Sequence, residues 1–153
     1  MRGTESSSVL ILGIGNPDRG DDGAGVWVAE RLAERGAPAQ VCRRDGFTLI
    51  EAWKGRQRVI VVDATVSGAS PGTISCIDAL RQDLPSEAFP VSTHGYGLVE
   101  AIAMARTLDR LPAELTVYGI EVASFAIGAP LSTPVQQACV ELTQSLLETV
   151  GFR

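Results

Sequence analysis

Residues 9–25 read VLILGIGNPDRGDDGAG, and the interpretation of the whole chain starts from this stretch. Its first part, Val9–Leu12, is a short apolar run that predicts a buried strand. A loop with five glycines follows, which indicates backbone that turns tightly or approaches another segment closely. Asp21 and Asp22 end the loop where an amphipathic helix begins. Capping the helix or interacting with its dipole is the usual role of such aspartates, so the pair alone does not indicate a site.

Apolar strand patterns then alternate with helical ones along the chain. This alternation predicts a three-layer α/β/α sandwich with a mostly parallel sheet of about five strands and one antiparallel edge strand. We expect one domain over residues 9–153, after a flexible lead-in at residues 1–8. Thr133–Gln136 has the pattern of a capping box that starts the last helix. Besides Val9–Leu12, the predicted strands are 39–43, 59–62, 73–77 (a hairpin partner or edge strand) and 115–120, and the predicted helices are 22–35, 48–54, 98–108 and 133–150.

Composition excludes several classes of function. The net charge of −5 over 153 residues argues against general nucleic-acid binding, which needs a basic surface. Cys42, Cys76 and Cys139 are widely separated and have no metal-ligand or redox spacing, so we expect reduced core residues in a cytoplasmic protein. We also expect no membrane insertion, because no segment has the length of a membrane span and the N-terminus lacks the pattern of a signal peptide.

Three polar residues follow predicted strands or precede predicted helices. Asp22 lies in the loop after the first strand, Asp63 comes where the apolar run Val59–Val62 stops, and His94 is the only histidine of the chain. In a parallel α/β sheet, ligands bind beyond the carboxyl ends of the strands, so the three side chains could share one edge. Two carboxylates and an imidazole suit a borderline divalent ion such as zinc or nickel. Capping by Asp63 and a structural role for His94 are the competing interpretations.

Other patterns are weaker. Gly13-Ile14-Gly15 resembles the start of a dinucleotide fingerprint, but Asp18 stands where the third glycine belongs and would repel a pyrophosphate. Asp45 and Glu121 also end predicted strands. We expect them to cap helices or to lie at the surface, with a supporting role near the site as the alternative.

Four motifs in order resemble the hydrogenase maturation proteases over about residues 8–148. They are Gly-Ile-Gly-Asn from Gly13, Asp21-Asp22-Gly23-x-Gly25, Val-Asp63-Ala with the following Ser-Pro-Gly-Thr, and Ser-x-His94. The resemblance implies an aspartyl-type endopeptidase that removes the C-terminal extension of a NiFe hydrogenase large-subunit precursor after nickel insertion. It also implies that Asp22, Asp63 and His94 contact the metal and carry the catalysis, with Asp22 at a position that can be glutamate in the family. Phe47 stands where many members have glycine.

We expect the nickel to arrive with the precursor, because two carboxylates and one imidazole are a modest chelator on their own. The free enzyme should therefore hold no tightly bound metal. Two other functions remain open at this point. A non-enzymatic nickel-binding accessory protein could use the same three ligands, and the Gly-Ile-Gly-Asn-Pro opening also resembles peptidyl-tRNA hydrolases, although the acidic charge disfavours tRNA binding.

Overall fold

The structure is a computed structural model that describes residues 8–90 and 97–151. It contains five strands and four α-helices in these ranges. Strand and helix alternate at first, and a 3-10 turn at Gly20–Gly23 precedes the first helix. A second 3-10 turn lies at Ser86–Ala88. The elements are β1 (Val9–Ile14), α1 (Ala24–Glu34), β2 (Ala39–Cys42), α2 (Gly46–Trp53), β3 (Arg58–Thr65), β4 (Ile74–Asp78), α3 (Leu98–Thr107), β5 (Glu114–Glu121) and α4 (Thr133–Thr149).

The five strands form one sheet in the order β2-β1-β3-β5-β4. The first four of these are mutually parallel, and β4 pairs antiparallel with β5 at the edge. The predicted fold class is thus confirmed, including the antiparallel edge strand. The hairpin alternative is wrong, because β5 pairs with β3 along eight residues and separates it from β4.

Two apolar layers cover the sheet. On one face, α2 and α3 pack over alternate residues of the central strands, such as Leu12 and Val61. On the other face, α1 and α4 pack over the intervening residues, such as Ile11 and Ile60. The residues Val59–Val62 of β3 therefore pack alternately against one helical layer and the other, which explains why this run is entirely apolar.

Two details differ from the sequence prediction, namely the cap of the last helix and the exposure of Cys76. The last helix is preceded by Ser132 as its N-cap, and no side chain caps its first turn, so the predicted capping box is wrong. The Ser132 hydroxyl instead donates to Asp21 Oδ2 at 2.8 Å. Cys42 and Cys139 are buried as expected, but Cys76 is exposed because it lies on the edge strand β4.

Two predictions concern residues that are only partly described. Of the predicted lead-in, residues 1–7 lie outside the described residues, and the Ser8 carbonyl accepts hydrogen bonds from the amides of Gln57 and Arg58. No helix in the described part of the chain combines the length and apolar character needed to cross a membrane.

Candidate functional site

The candidate site lies where the chain reverses its direction of travel across the sheet. From β1 the chain passes to β2 on one side, and it then returns to β3 on the other side. The carboxyl ends of β1 and β3 are therefore neighbours at a topological switch point, where open α/β sheets bind ligands. Asp22 follows β1 and Asp63 lies near the end of β3, so the sequence prediction that the two carboxylates share one edge agrees with this topology.

Asp22 is held by a loop that folds back on itself. The Asn16 amide donates both to the Asp22 carbonyl oxygen at 3.1 Å and to Asp22 Oδ2 at 3.2 Å. Gly15 has φ +145°, and a Cβ at this position would overlap the Asp22 carbonyl oxygen. Only glycine therefore permits this close return of the loop.

Asp63 is buried within the sheet. The strand continues for two residues beyond it, so the prediction that β3 stops at Asp63 is wrong; Asp63 pairs in register with Gly119 of β5. Its Oδ1 accepts a hydrogen bond from the Ala64 amide at 2.8 Å. Its Oδ2 has no hydrogen-bond partner among residues 8–90 and 97–151. Burial raises the pKa of Asp63 to about 7, against the opposing effect of the neighbouring Arg44.

Arg44 bridges the two carboxylates. Its Nη2 lies 2.7 Å from Asp22 Oδ1 and 2.8 Å from Asp63 Oδ1, and its Nη1 lies 3.3 Å from Asp22 Oδ2. Burial lowers the pKa of Arg44, but Asp63 and Asp22 together raise it above its ordinary value, so the side chain stays cationic. Sequence analysis missed this residue. The only available signal was a basic side chain just beyond a strand of the same parallel sheet as the two aspartates.

Asp21 is not a helix cap. Its Oδ2 accepts hydrogen bonds from the amides of Ala123 and Ser124 and from the Ser132 hydroxyl, and its Oδ1 accepts one from the Ser132 amide. Asp21 therefore connects the loop after β1 to the loop after β5, although the two are about a hundred residues apart in sequence. This buried carboxylate has a structural role beside the candidate site.

The two supporting candidates also have defined roles. Asp45 is the N-cap of α2, as expected, and its carboxylate accepts hydrogen bonds from the amides of Phe47 and Thr48. For Glu121 the expectation is wrong, because it is buried and caps no helix in the described part of the chain. It accepts hydrogen bonds from the Thr65 hydroxyl, from the amide and hydroxyl of Ser67, and from the Gly68 amide. Burial raises the pKa of Glu121, but these hydrogen bonds outweigh it and hold the pKa below its ordinary value. In the described part of the chain, neither residue forms a hydrogen bond with Arg44, Asp22 or Asp63.

His94 lies outside the described residues, so the structure describes two of the three predicted ligands. Within the described ranges, no group of three or more histidine, cysteine, aspartate or glutamate side chains could hold a metal ion. The donor chemistry of the described pair does fit a cation. Two carboxylates already share one positively charged group, and a buried oxygen of Asp63 is unpartnered.

Comparison with known proteins gives a consistent result. Residues 26–149 match the family described as hydrogenase maturation protease, a range that includes Arg44 and Asp63 and begins just after Asp22. The hydrogenase expression/formation protein HupD of Rhodobacter capsulatus is 36% identical over 120 residues, which are 74% of this chain and 56% of that protein. The protein of the same name from Bradyrhizobium diazoefficiens is 32% identical over 139 residues, which are 87% of this chain and 72% of that protein.

A solved structure agrees with these matches. The NiFe hydrogenase maturation protease HybD from Thermococcus kodakarensis superimposes with a TM-score of 0.72 at 28% sequence identity. The superposition covers 93% of this chain and 98% of that one. The superposition thus covers nearly all of that solved chain, whereas the present chain spans little more than half of the Rhodobacter relative.

Proposed function

The chain belongs to the hydrogenase maturation protease family, and we propose that it is the endopeptidase that removes the C-terminal extension of a NiFe hydrogenase large-subunit precursor. One observation carries this proposal. Two carboxylates, Asp22 in the turn after β1 and Asp63 on the neighbouring strand β3, share a single cationic group at 2.7 and 2.8 Å. The pair is therefore already arranged to bind one positive centre at the edge of the sheet where ligands bind.

We propose that this positive centre is nickel carried by the precursor. Carboxylate oxygens alone favour hard ions such as magnesium and calcium, whereas a set that includes an imidazole suits nickel and zinc. A site of two carboxylates and one imidazole leaves coordination positions for ligands from the precursor. Cleavage would then depend on nickel insertion, because only a nickel-loaded precursor would bind the site with its C-terminal extension positioned for cleavage.

His94 is the third ligand in this proposal. It precedes Gly97, the N-cap of α3, by three residues. Three residues of chain span at most roughly 10 Å. The first turn of α3 lies beside the start of α2, since a Cβ at Gly46 would be 3.7 Å from Ala101 Cα. Because α2 begins directly after Arg44 and Asp45, the start of α3 lies beside the segment that carries Arg44, and this arrangement supports the proposal that His94 is a ligand.

Cleavage needs a nucleophilic water, and both the precursor's nickel and the carboxylates are chemically able to activate it. A carboxyl group with a pKa near neutrality, such as Asp63, can accept a proton at physiological pH. We therefore assign Asp22, Asp63 and His94 both metal contact and catalysis. The three cysteines are free, which supports a reducing cytoplasmic location.

The test is cleavage of purified precursor, with and without nickel, followed by mass spectrometry. We expect wild-type protein to shorten only the nickel-loaded precursor, and His94→Ala and Asp63→Asn to leave it intact. Glu141→Gln, a change of an exposed residue on α4, should cleave like wild type. Equal cleavage of nickel-free precursor would contradict the role of nickel, and full activity of His94→Ala would contradict its assignment as a ligand. A precursor of unchanged length in every reaction would instead indicate a nickel-binding accessory protein.

A further inference from the structure

Arg44 has an unusual environment for an arginine. The exposed fraction of its side chain is 11%, and those of its partners Asp22 and Asp63 are 7% and 0%. Only three residues connect β2 to α2, and Arg44 is the middle one, so its backbone is fixed between a strand and the Asp45 cap. The guanidinium therefore reaches the carboxylates from a rigid support and is largely removed from water.

The hydrogen bonds of Arg44 occupy the oxygens that a cation would use. Asp63 Oδ1 accepts from both Arg44 and the Ala64 amide, which uses both of its lone pairs. Asp22 Oδ2 likewise accepts from Arg44 and the Asn16 amide. Asp22 Oδ1 accepts from Arg44 at 2.7 Å, and the unpartnered Asp63 Oδ2 belongs to a carboxylate that is already paired with the guanidinium. A divalent ion at these oxygens would be repelled by the guanidinium as long as Arg44 stays in place.

The arginine also has no other described anchor. Its Nε is buried and has no hydrogen-bond partner in the described part of the chain, so the two carboxylates supply its polar contacts there. A buried carboxylate pair without a cation would be strongly unfavourable, and Arg44 provides the neutralising charge. A cation that replaced it would compensate the same carboxylates.

We infer that Arg44 is an internal cation that competes with divalent metal for Asp22 and Asp63, and that it leaves these carboxylates when metal binds. The inference rests on the proposed function in so far as the competing metal is the precursor's nickel. Free metal ions must displace Arg44 without help, whereas nickel presented by the precursor brings additional binding contacts. Arg44 would thus keep stray metal out of the site and reserve it for a nickel-loaded substrate.

Nickel titration of the free full-length chain by calorimetry tests this inference. We expect Arg44→Gln to bind Ni²⁺ at least about tenfold more tightly than wild type. Arg43→Gln removes an exposed neighbouring arginine and should bind like wild type. The double variant Arg44→Gln with Asp63→Asn should lose the gain, which would assign the tighter binding to this carboxylate. Equal affinity of wild type and a cooperatively folding Arg44→Gln would overturn the inference.

A second measurement uses the wild-type chain and does not depend on the folding of a variant. Phenylglyoxal modifies accessible arginines, and peptide mass spectrometry reports each site separately. We expect Arg44 to be protected relative to Arg43 without metal and to become modified at saturating Ni²⁺. Unchanged protection of Arg44 with nickel bound would overturn its displacement. Neither measurement uses the precursor, so a wild-type protein that fails to cleave would contradict the proposed function and leave these results intact.

Discussion

Asp21 and Asp22 are consecutive residues whose buried carboxylates bind different parts of the molecule. Asp21 accepts four hydrogen bonds from the segment 123–132, whereas Asp22 pairs with Arg44 at 2.7 Å. One residue therefore joins the loops at the edge of the sheet, and the other belongs to the candidate cation site. The pair offers a direct way to separate stability from activity.

The first prediction compares two conservative substitutions at this pair. Asp21→Asn should lower the free energy of unfolding by about 2 to 3 kcal/mol. Both carboxylate oxygens accept hydrogen bonds, and the substitution would place an amide N–H group opposite donors in the position of one of them. Asp22→Asn should instead reduce cleavage of the precursor by about a hundredfold or more, because it removes one of the two carboxylates of the site. Urea unfolding and a precursor cleavage assay measure the two effects. Loss of activity without loss of stability in Asp21→Asn would contradict its structural role.

The second prediction concerns the contact between α1 and the sheet. A Cβ at Gly25 would overlap the carbonyl oxygens of Val62 and Ile14. Gly25→Ala should therefore lower the free energy of unfolding by about 3 kcal/mol, even though alanine favours helix more than glycine does. Gly46→Ala is the matched control, because its Cβ would have its nearest neighbour at 3.7 Å and should fit. Thermal unfolding that ranks the two variants in the opposite order would refute the packing argument.

The third prediction is a pH dependence of stability that arises at Glu121. The folded pKa lies below the ordinary value of 4.5, so the unfolded chain takes up a proton first as the pH falls. The stabilisation is complete above about pH 4.5 and is lost as the pH drops through the folded pKa. Glu121→Gln should thus be less stable than wild type at neutral pH, and the difference should shrink in acid. Urea unfolding between neutral and acid pH measures the difference in stability between wild type and Glu121→Gln, and Glu141→Gln is the exposed control. A difference that stays constant at all pH values would contradict the lowered pKa of Glu121.

The fourth prediction concerns how the precursor docks. Phe47 is 68% exposed and Ile127 is 84% exposed, and both follow the carboxyl ends of strands, β2 and β5 respectively. Burial of a phenylalanine against the precursor would contribute about 1.5 to 3 kcal/mol, so Phe47→Ser should raise KM for the precursor by about tenfold or more. Since Phe47 lies outside the ion pair, kcat should change little. Val140→Ser, at an exposed residue of α4, should leave both constants unchanged, and a lower kcat with constant KM in Phe47→Ser would argue against docking.

Much of the fold could be predicted from local sequence. The β-branched run Val59–Val62 indicates a central strand because burial on both faces requires a continuous apolar run and β-branched residues favour strands. The glycine-rich loop and the position of Asp63 then predict that two carboxylates meet at one edge. The sequence could not show that β3 continues past Asp63, since that extension depends on pairing with Gly119 of β5.

The environment of the site depends on long-range contacts, and these were not predictable. Arg44 is a residue of a short connection, and nothing in its local sequence indicates that its partners are residues 22 and 63. Asp21 looks like a helix cap because caps are common before helices, yet its donors lie in the segment 123–132. In both cases the partner is determined by the order of strands in the sheet.

That order has a consequence for the newly synthesised protein. Arg44 meets both aspartates only where β2, β1 and β3 lie side by side, so the ion pair is a product of tertiary assembly and not of local structure. A nascent chain that ends before residue 63 still lacks Asp63, one of the two carboxylate partners of Arg44. Incompletely assembled molecules therefore lack the arrangement in which one guanidinium bridges the two buried carboxylates.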